Sequence, residues 1–370
     1  MTSQPTGVPT SKSAAATSSQ STQVPATSSS VKPSSTTETR PEPTLSNRAY
    51  PADVVDKLRD SSVEKLKEYL KSNPSDTGCT LENASIRREW SDLSVDEREE
   101  YIAAVKCLQS ASPKSSRQEV PGARSRFDDF VATHISQTDS IHYTANFLSW
   151  HRYYVWAYEK ALREECGYTG FQPYWNWDRY AADPANSPLF NGNSSSLSGN
   201  SVNGGCVTTG PFADMEVNLG PGASLAYNPR CLKRNISKSY AAMTTADKTY
   251  ALITGSPNIA SFQDTMQALP GVHAGGHFTI GGDPGGDVYS SSGDPAFWLH
   301  HAMIDRVWWI WQNQGLPGRL SEVAGSVAGS SRPGSGKDLV NLGVNAPSVA
   351  IENLLNTLGG LDGKMCYIYL

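Results

Sequence analysis

Apolar side chains recur at helical intervals over several long stretches of this chain, and the segments between them show no period. Residues 51–73 set Val, Leu and Tyr among Lys and Glu and predict an amphipathic helix. Ser94, with Glu97 three positions later, is a capping-box pattern. The helix it opens carries Tyr101, Ile102, Val105 and Leu108 on one face. Over 125–135, Phe127, Phe130, Val131 and His134 fall at i, i+3, i+4 and i+7. A longer helix is predicted from about Ala145 to Glu165, with Gly167 placed to end it. Asp294 as N-cap and Pro295 at the first helical position open a strongly apolar helix, FWLHHAMIDRVWWIWQNQ, that stops near Gly315. Residues 181–235 are rich in Ser, Asn and Gly and predict loops with short strands. Residues 317–337 predict another loop, and the terminal MCYIYL a short strand. The expected fold class is mainly α: a four-helix-bundle core with long loops and a few short strands.

One stretch conflicts with its own pattern. GVHAGGHFTIGGDPGGD, residues 271–287, contains seven glycines, each costing a helix about 1 kcal/mol relative to alanine. Yet His273 and His277 stand four apart, the spacing that puts two imidazoles on one helical face. Gly275 and Gly276 between them are expected to let another helix, or a flat ring, approach closely.

Composition changes the picture at the chain's start. Residues 1–48 are Ser, Thr, Pro and Ala with almost no large apolar side chains, and cannot bury enough surface to offset their ordering entropy. They are expected to form a disordered tail ahead of a single domain, 49–370. Nine tryptophans and sixteen tyrosines favour one well-filled core there. The net charge of −5 gives no reason to expect nucleic acid or an anionic membrane as partner. No apolar run approaches the roughly 20 residues of a membrane span. Met1 is followed by polar residues, so no secretory leader is read there.

Other features still point outside the cell. Six cysteines, Cys79, Cys107, Cys166, Cys206, Cys231 and Cys366, form no C-x-x-C pair, so a zinc ribbon or redox motif is disfavoured. Three disulfides are expected, with fifteen pairings open. N-x-S acceptors stand at Asn83, Asn193 and Asn235. Together these features favour a secreted glycoprotein.

The histidines carry the chemistry. A lone histidine on an apolar face is usually an ordinary core residue. All seven here fall in two groups, His134, His142 and His151, then His273, His277, His300 and His301. His151 shares a face with Phe147, Tyr154 and Tyr158 and points inward. His142 lies nine residues earlier, so both can serve one metal only if His142 sits in the turn before that helix. His301 lies on the face marked by Phe297, Ile304 and Trp308. Two three-histidine sites on facing helices describe a binuclear centre inside a bundle. Zinc hydrolases of the HExxH kind need a glutamate where this chain has Ala274. Di-iron bundles need an E-x-x-H pair, which is absent. Six imidazoles without a carboxylate suit a pair of copper ions, with dioxygen as co-substrate.

These residues carry a resemblance. FLSWHRYYVWAYEKAL (147–162), GDPAFWLHHAMIDRVWWIW (293–311), PYWNWD (173–178) and RREWSDLSVDEREEYIAAVKCL (87–108) are similar to signatures of the tyrosinase and catechol oxidase family of type-3 copper proteins, in its short fungal form. The resemblance covers about residues 75–370. It implies that His134, His142 and His151 hold one copper, and His273, His277 and His301 the other. In the family's histidine pair the second residue is the ligand, which leaves His300 beside the ligands or near the substrate. It further implies a buried ion pair between Arg152 and Asp305, a packing role for Phe297 on a ligand imidazole, and a gate position over the copper at Val288.

Three departures bear on substrate. Ala274 stands where many members with strong monophenol activity carry Asn. Gln263, Asp264 and Gln267 occupy the region of a water-orienting glutamate found in several tyrosinases. Ser140 replaces a cysteine that some fungal members tie to a histidine. The expected function is oxidation of small o-diphenols to o-quinones, with no protein partner. The alternatives are a monophenol-hydroxylating tyrosinase, an o-aminophenol oxidase, or a hemocyanin-like oxygen carrier. A carrier would need a bulky plug, which Val288 does not supply.

Overall fold

Side-chain caps set where the main helices begin. The computed structural model describes residues 50–370, and the expected tail, 1–48, lies outside the described residues. Helix α1 (Val54–Ser72) opens on Asp53, whose carboxylate accepts from the backbone N–H groups of Val55 and Asp56. Helix α2 (Val95–Ser110) opens on the expected Ser94–Glu97 capping box. Helix α3 (Arg126–Ile141) has a third such box, Ser125 with Asp128, and runs a turn and a half beyond the predicted end. Helix α4 (Phe147–Cys166) ends on Gly167, which adopts φ +71°.

Two short turns, α5 (Trp177–Tyr180) and α6 (Lys238–Ala241), precede three elements around the histidine pair, α7 (Ala246–Gly255), α8 (Ile259–Gln267) and α9 (Val272–Ile280). No helix was expected over α7 and α8. Both are short, and α7 buries only Thr249, Leu252 and Ile253. Its position is fixed by packing on α1 and on the last helix, α10 (Ala296–Gln314). Pro295 is the N-cap of α10, so the helix begins one residue later than expected. The Asp294 carboxylate nevertheless performs the capping chemistry, accepting from the N–H of Ala296 at 2.8 Å.

Every residue of α10 from Ala296 to Asn313 is buried. A helix enclosed on all sides is the centre of a fold, and α1, α4, α7 and α9 pack around it. The Tyr158 ring of α4 stacks on Trp298 of α10 at 3.6 Å between centroids. No helix of the described residues is long and apolar enough to cross a membrane.

The strands are few. β1 (Ser85–Arg87) runs parallel to β7 (Met365–Tyr369), and β6 (Leu358–Gly360) runs antiparallel to β7 on its other side. Two short pairs complete the set: β2 (Glu216–Val217) with β3 (Arg230–Cys231), and β4 (Leu339–Val340) with β5 (Val349–Ala350). Among these the sequence indicated β7 and, loosely, strands within 181–235. The disulfides join Cys79 to Cys366, Cys107 to Cys166 and Cys206 to Cys231. The first ties the segment before β1 to β7, and the second ties α2 to the end of α4.

An ion-pair network locks this arrangement to α10. Asp305 accepts from Arg152 Nε at 2.5 Å, and from the hydroxyls of Tyr367 and Tyr369 at 2.6 Å each. Arg87 of β1 reaches the same carboxylate at 3.4 Å and pairs with Glu159 at 2.9 Å. Arg152 also donates to the carbonyls of Leu354 and Leu355, and its guanidinium carbon lies over Trp308, 3.6 Å from the ring centroid. The expected Arg152–Asp305 bridge is therefore present. No local pattern indicated that both tyrosines of β7 complete it.

Burial alone would raise the Asp305 carboxyl, but Arg152 and Arg87 outweigh it and hold the group below its ordinary 3.8. A lowered folded-state value stabilises the fold above the unfolded value, and this contribution is lost as pH falls through the folded one. Asp305→Asn leaves Arg152 buried without its counter-charge. It is expected to cost about 3–5 kcal/mol at neutral pH, and to make acid unfolding less steep below about pH 4, measured by denaturant titration across pH.

Candidate metal centre

Four helices deliver the histidines. His134 comes from the middle of α3 and His151 from the first turns of α4. His273 and His277 lie on α9, and His300 and His301 on α10. His142 caps α3 in an extended conformation, in the turn before α4, where the nine-residue spacing required it. Two groups of converging ligand atoms result. One is His134, His142 and His151; the other is His273, His277, His300 and His301.

Backbone carbonyls fix the tautomers of the first group. Nδ1 of His134 lies 2.8 Å from the carbonyl of Tyr289, Nδ1 of His142 2.9 Å from that of Thr138, and Nδ1 of His151 2.8 Å from that of Phe147. A carbonyl can only accept, so each Nδ1 carries the proton and each Nε2 presents a bare lone pair. Thr138 lies in the last turn of α3, where carbonyls lack helical partners, and the His142 ring fills that role. The Nε2 atoms of His134 and His151 are buried without a hydrogen-bond partner, as is Nε2 of His273. Nε2 of His277 and Nε2 of His301 approach to 3.1 Å. Buried nitrogens left bare and aimed at common points are what a metal-ligand set looks like before the metal is counted.

Electrostatics agree. Burial pushes His134, His151, His273 and His301 well below the ordinary 6.5, with neighbouring imidazoles adding to the effect. Burial likewise lowers His142, and lowers His277 to about 3. All are neutral at physiological pH, the state that ligates metal.

The two groups face each other. The rings of His151 and His301 stack at 4.4 Å and 13°, and His142 lies 5.8 Å from His273. His300 is different. Its ring meets His273, His277 and His301 on one side and, unlike any other histidine of the two groups, Trp175 and Trp177 on the other. It is fully buried against Trp177, 5.0 Å away, which places it behind the ligands and away from the solvent-facing side. Phe297 packs on the His301 ring at 4.2 Å, as expected.

The glycine pair now has its reason. A Cβ on Gly276 would overlap the imidazole of His300, and one on Gly275 would meet Met243 at 2.7 Å and Thr244 at 2.9 Å. Gly276 thus admits a flat ring, and Gly275 the turn after α6. Beyond α9, Gly281 and Gly282 take φ +58° and +70° to begin the loop that carries Val288. Val288 is 58% exposed, beside the Tyr289 whose carbonyl orients His134. His142, Ala274, His277 and Phe278 are half-buried, whereas the other histidines are buried. The centre therefore meets solvent along the His142–Ala274–His277 edge. The side chains of Asn83, Asn193 and Asn235 are exposed, although Asn83 Nδ2 already donates to the Gly78 carbonyl.

A family model described as the common central domain of tyrosinase matches residues 124–314. The chain belongs to the tyrosinase family. It is 40% identical over 291 residues to "Tyrosinase P" of Aspergillus terreus, covering 66% of this chain and 80% of that one. It is 35% identical over 347 residues to "N-acetyl-6-hydroxytryptophan oxidase ivoB" of Emericella nidulans, covering 79% and 93%. Its fold superposes on a variant polyphenol oxidase from Thermothelomyces thermophila with TM-score 0.78 and 40% identity, covering 85% of this chain and 97% of that one. The family binds a pair of copper ions, and the bare imidazole nitrogens fit that donor set.

Sequence reasoning missed the carbonyl anchors and Trp177. His142 and His151 lie four residues after their anchors, a spacing that a helix supplies automatically. Nothing local linked Tyr289 to His134. Gly276→Ala gains helix propensity of about 1 kcal/mol, but overpacking against the enclosed His300 ring is expected to outweigh it, for a net loss of about 1–2 kcal/mol. Thermal melts of the copper-free protein check this; an unchanged or raised Tm contradicts it.

Proposed function

We propose that this chain is a secreted copper polyphenol oxidase that oxidises small o-diphenols to o-quinones with dioxygen. His134, His142 and His151 would hold one copper, and His273, His277 and His301 the other. The observation that carries this is the pair of converging histidine groups with no carboxylate among them, three rings oriented by backbone carbonyls and the Nε2 atoms of His134, His151 and His273 buried and bare. When bound, the copper pair supplies the two-electron exchange with dioxygen that no amino-acid side chain provides. The chain's own residues do the rest. The carbonyls of Tyr289, Thr138 and Phe147 hold three rings in place, and Phe297 and Trp177 keep water from the inner side. The edge at Ala274 and Val288 admits a flat phenol.

The substrate preference rests on that edge. Ala274, Phe278 and Val288 carry no acid or base. Of the three polar residues preceding α9, Gln263 donates to the Ala324 carbonyl, Gln267 is hydrogen-bonded to Tyr143, and Asp264 is exposed. None is aligned to take a proton from a monophenol. A relative named as a tyrosinase keeps monophenol hydroxylation as the second reading. Exposed sequons and three disulfides support secretion and glycosylation.

Oxygen uptake by the copper-loaded protein tests the reading, with catechol and a para-substituted monophenol side by side. Uptake with catechol alone is expected. Prompt uptake with both would make the protein a tyrosinase; none with either, at two bound coppers, would overturn the oxidase reading. For the ligand set, His301→Asn is expected to reduce bound copper from about two per chain towards one, whereas His300→Asn retains both, measured by metal analysis after dialysis.

A further inference from the structure

The connection between α3 and α4 carries an unusual residue beside a proposed ligand. Tyr143 directly follows His142 and adopts φ +55°, the left-handed region that a bulky side chain rarely occupies. Its ring is 73% exposed, so core burial does not compensate. Two hydrogen bonds do. Its backbone N–H donates to Gln267 Oε1 at 2.7 Å, and its hydroxyl donates to the Gln267 carbonyl at 2.9 Å. Gln267 is itself buried, and its Nε2 donates to the Gln263 carbonyl at 3.3 Å. Strained backbone persists where the surroundings over-determine it, and such places cluster at functional sites.

The position of this clasp gives it a role. Gln267 is the last residue of α8, and α9 begins at Val272 with His273 next. The clasp therefore ties the segment holding His142 to the turn that delivers His273. The rings of these two histidines lie 5.8 Å apart where the two groups meet, His142 half-buried and His273 buried. His142 sits outside any helix, and its ring has a single backbone anchor, the Thr138 carbonyl. A second anchor on the same connection, Ala145 N–H to the Ser326 carbonyl at 2.9 Å, fixes the other end. Between them, the Tyr143–Gln267 clasp sets where His142 points.

We propose that Gln267 and Tyr143 are positioning residues that hold His142 in register with His273, and so govern the affinity of the first copper site without touching metal or substrate. This rests on the ligand assignment proposed above. Outer residues that orient a ligand typically change metal affinity by about 10–100-fold when replaced.

The test is a copper titration of the full-length copper-free protein, paired with its melting curve and amide hydrogen exchange at Tyr143. Gln267→Leu keeps side-chain volume and removes the acceptor. It is expected to weaken one copper of the two by about 10–100-fold, leave the other unchanged, and deprotect the Tyr143 amide while Tm stays close to that of the parent. Tyr143→Phe alters only an exposed hydroxyl and remains informative if the Gln267 variant does not fold. A loss of about tenfold, the low end of that range, is expected at the same single copper. Unchanged affinity for both coppers in Tyr143→Phe, or equal weakening of both together with a lowered Tm in Gln267→Leu, overturns the clasp as a positioning device. A parent protein that fails to bind two coppers would overturn the ligand assignment instead.

Discussion

The fold is organised around a set of imidazole nitrogens that have no partner in the protein. A buried polar atom left unsatisfied costs about 1–3 kcal/mol, and His134, His151 and His273 each present one. Neighbouring lone pairs cannot relieve this by protonation, because burial and the adjacent rings keep every imidazole neutral. The surrounding structure holds these rings in position through contacts made within the protein. In keeping with this, α10, which carries two of the histidines, is buried from Ala296 to Asn313.

Two devices supply the rigidity. The first is aromatic. Phe297 covers His301, Trp150 lies against His134 and His151, and the Tyr158–Trp298 stack joins α4 to α10. The second is ionic and stands one helical turn beyond His301. There Asp305 gathers Arg152, Arg87, Tyr367 and Tyr369, binding β1, α4, α10 and β7 at one carboxylate. Buried charges of this kind contribute little net stability when complete and are costly to break. Their value here is that they fix one arrangement of four elements.

The solvent-facing edge is built on a different plan. It is formed by chain that is irregular or glycine-rich: the connection at His142 and Tyr143, the Gly281–Gly282 turn and the loop bearing Val288. Loops on a rigid scaffold carry selectivity because they change without disturbing the core. The inner side, with His300 against Trp177 and Gly276, has no such freedom.

Much of this was legible in the chain. The Ser94–Glu97 box, the apolar period of α3 and α4 and the grouping of the histidines are patterns within short stretches, set by local hydrogen bonds and burial periodicity, whereas the Arg152–Asp305 pair was indicated only by the family resemblance. The HAGGH stretch was legible as a conflict, because glycines in a helix need a reason from outside it. That reason came from tertiary structure: the ring of His300, from a segment more than twenty residues later, fills the space a side chain would take. The disulfide pairing, the parallel pairing of β1 with β7, the joining of both tyrosines of β7 to Asp305 and the hold of Gln267 on Tyr143 were likewise decided only by folding. Each links residues far apart in sequence, and no local propensity encodes which distant partner a side chain will meet.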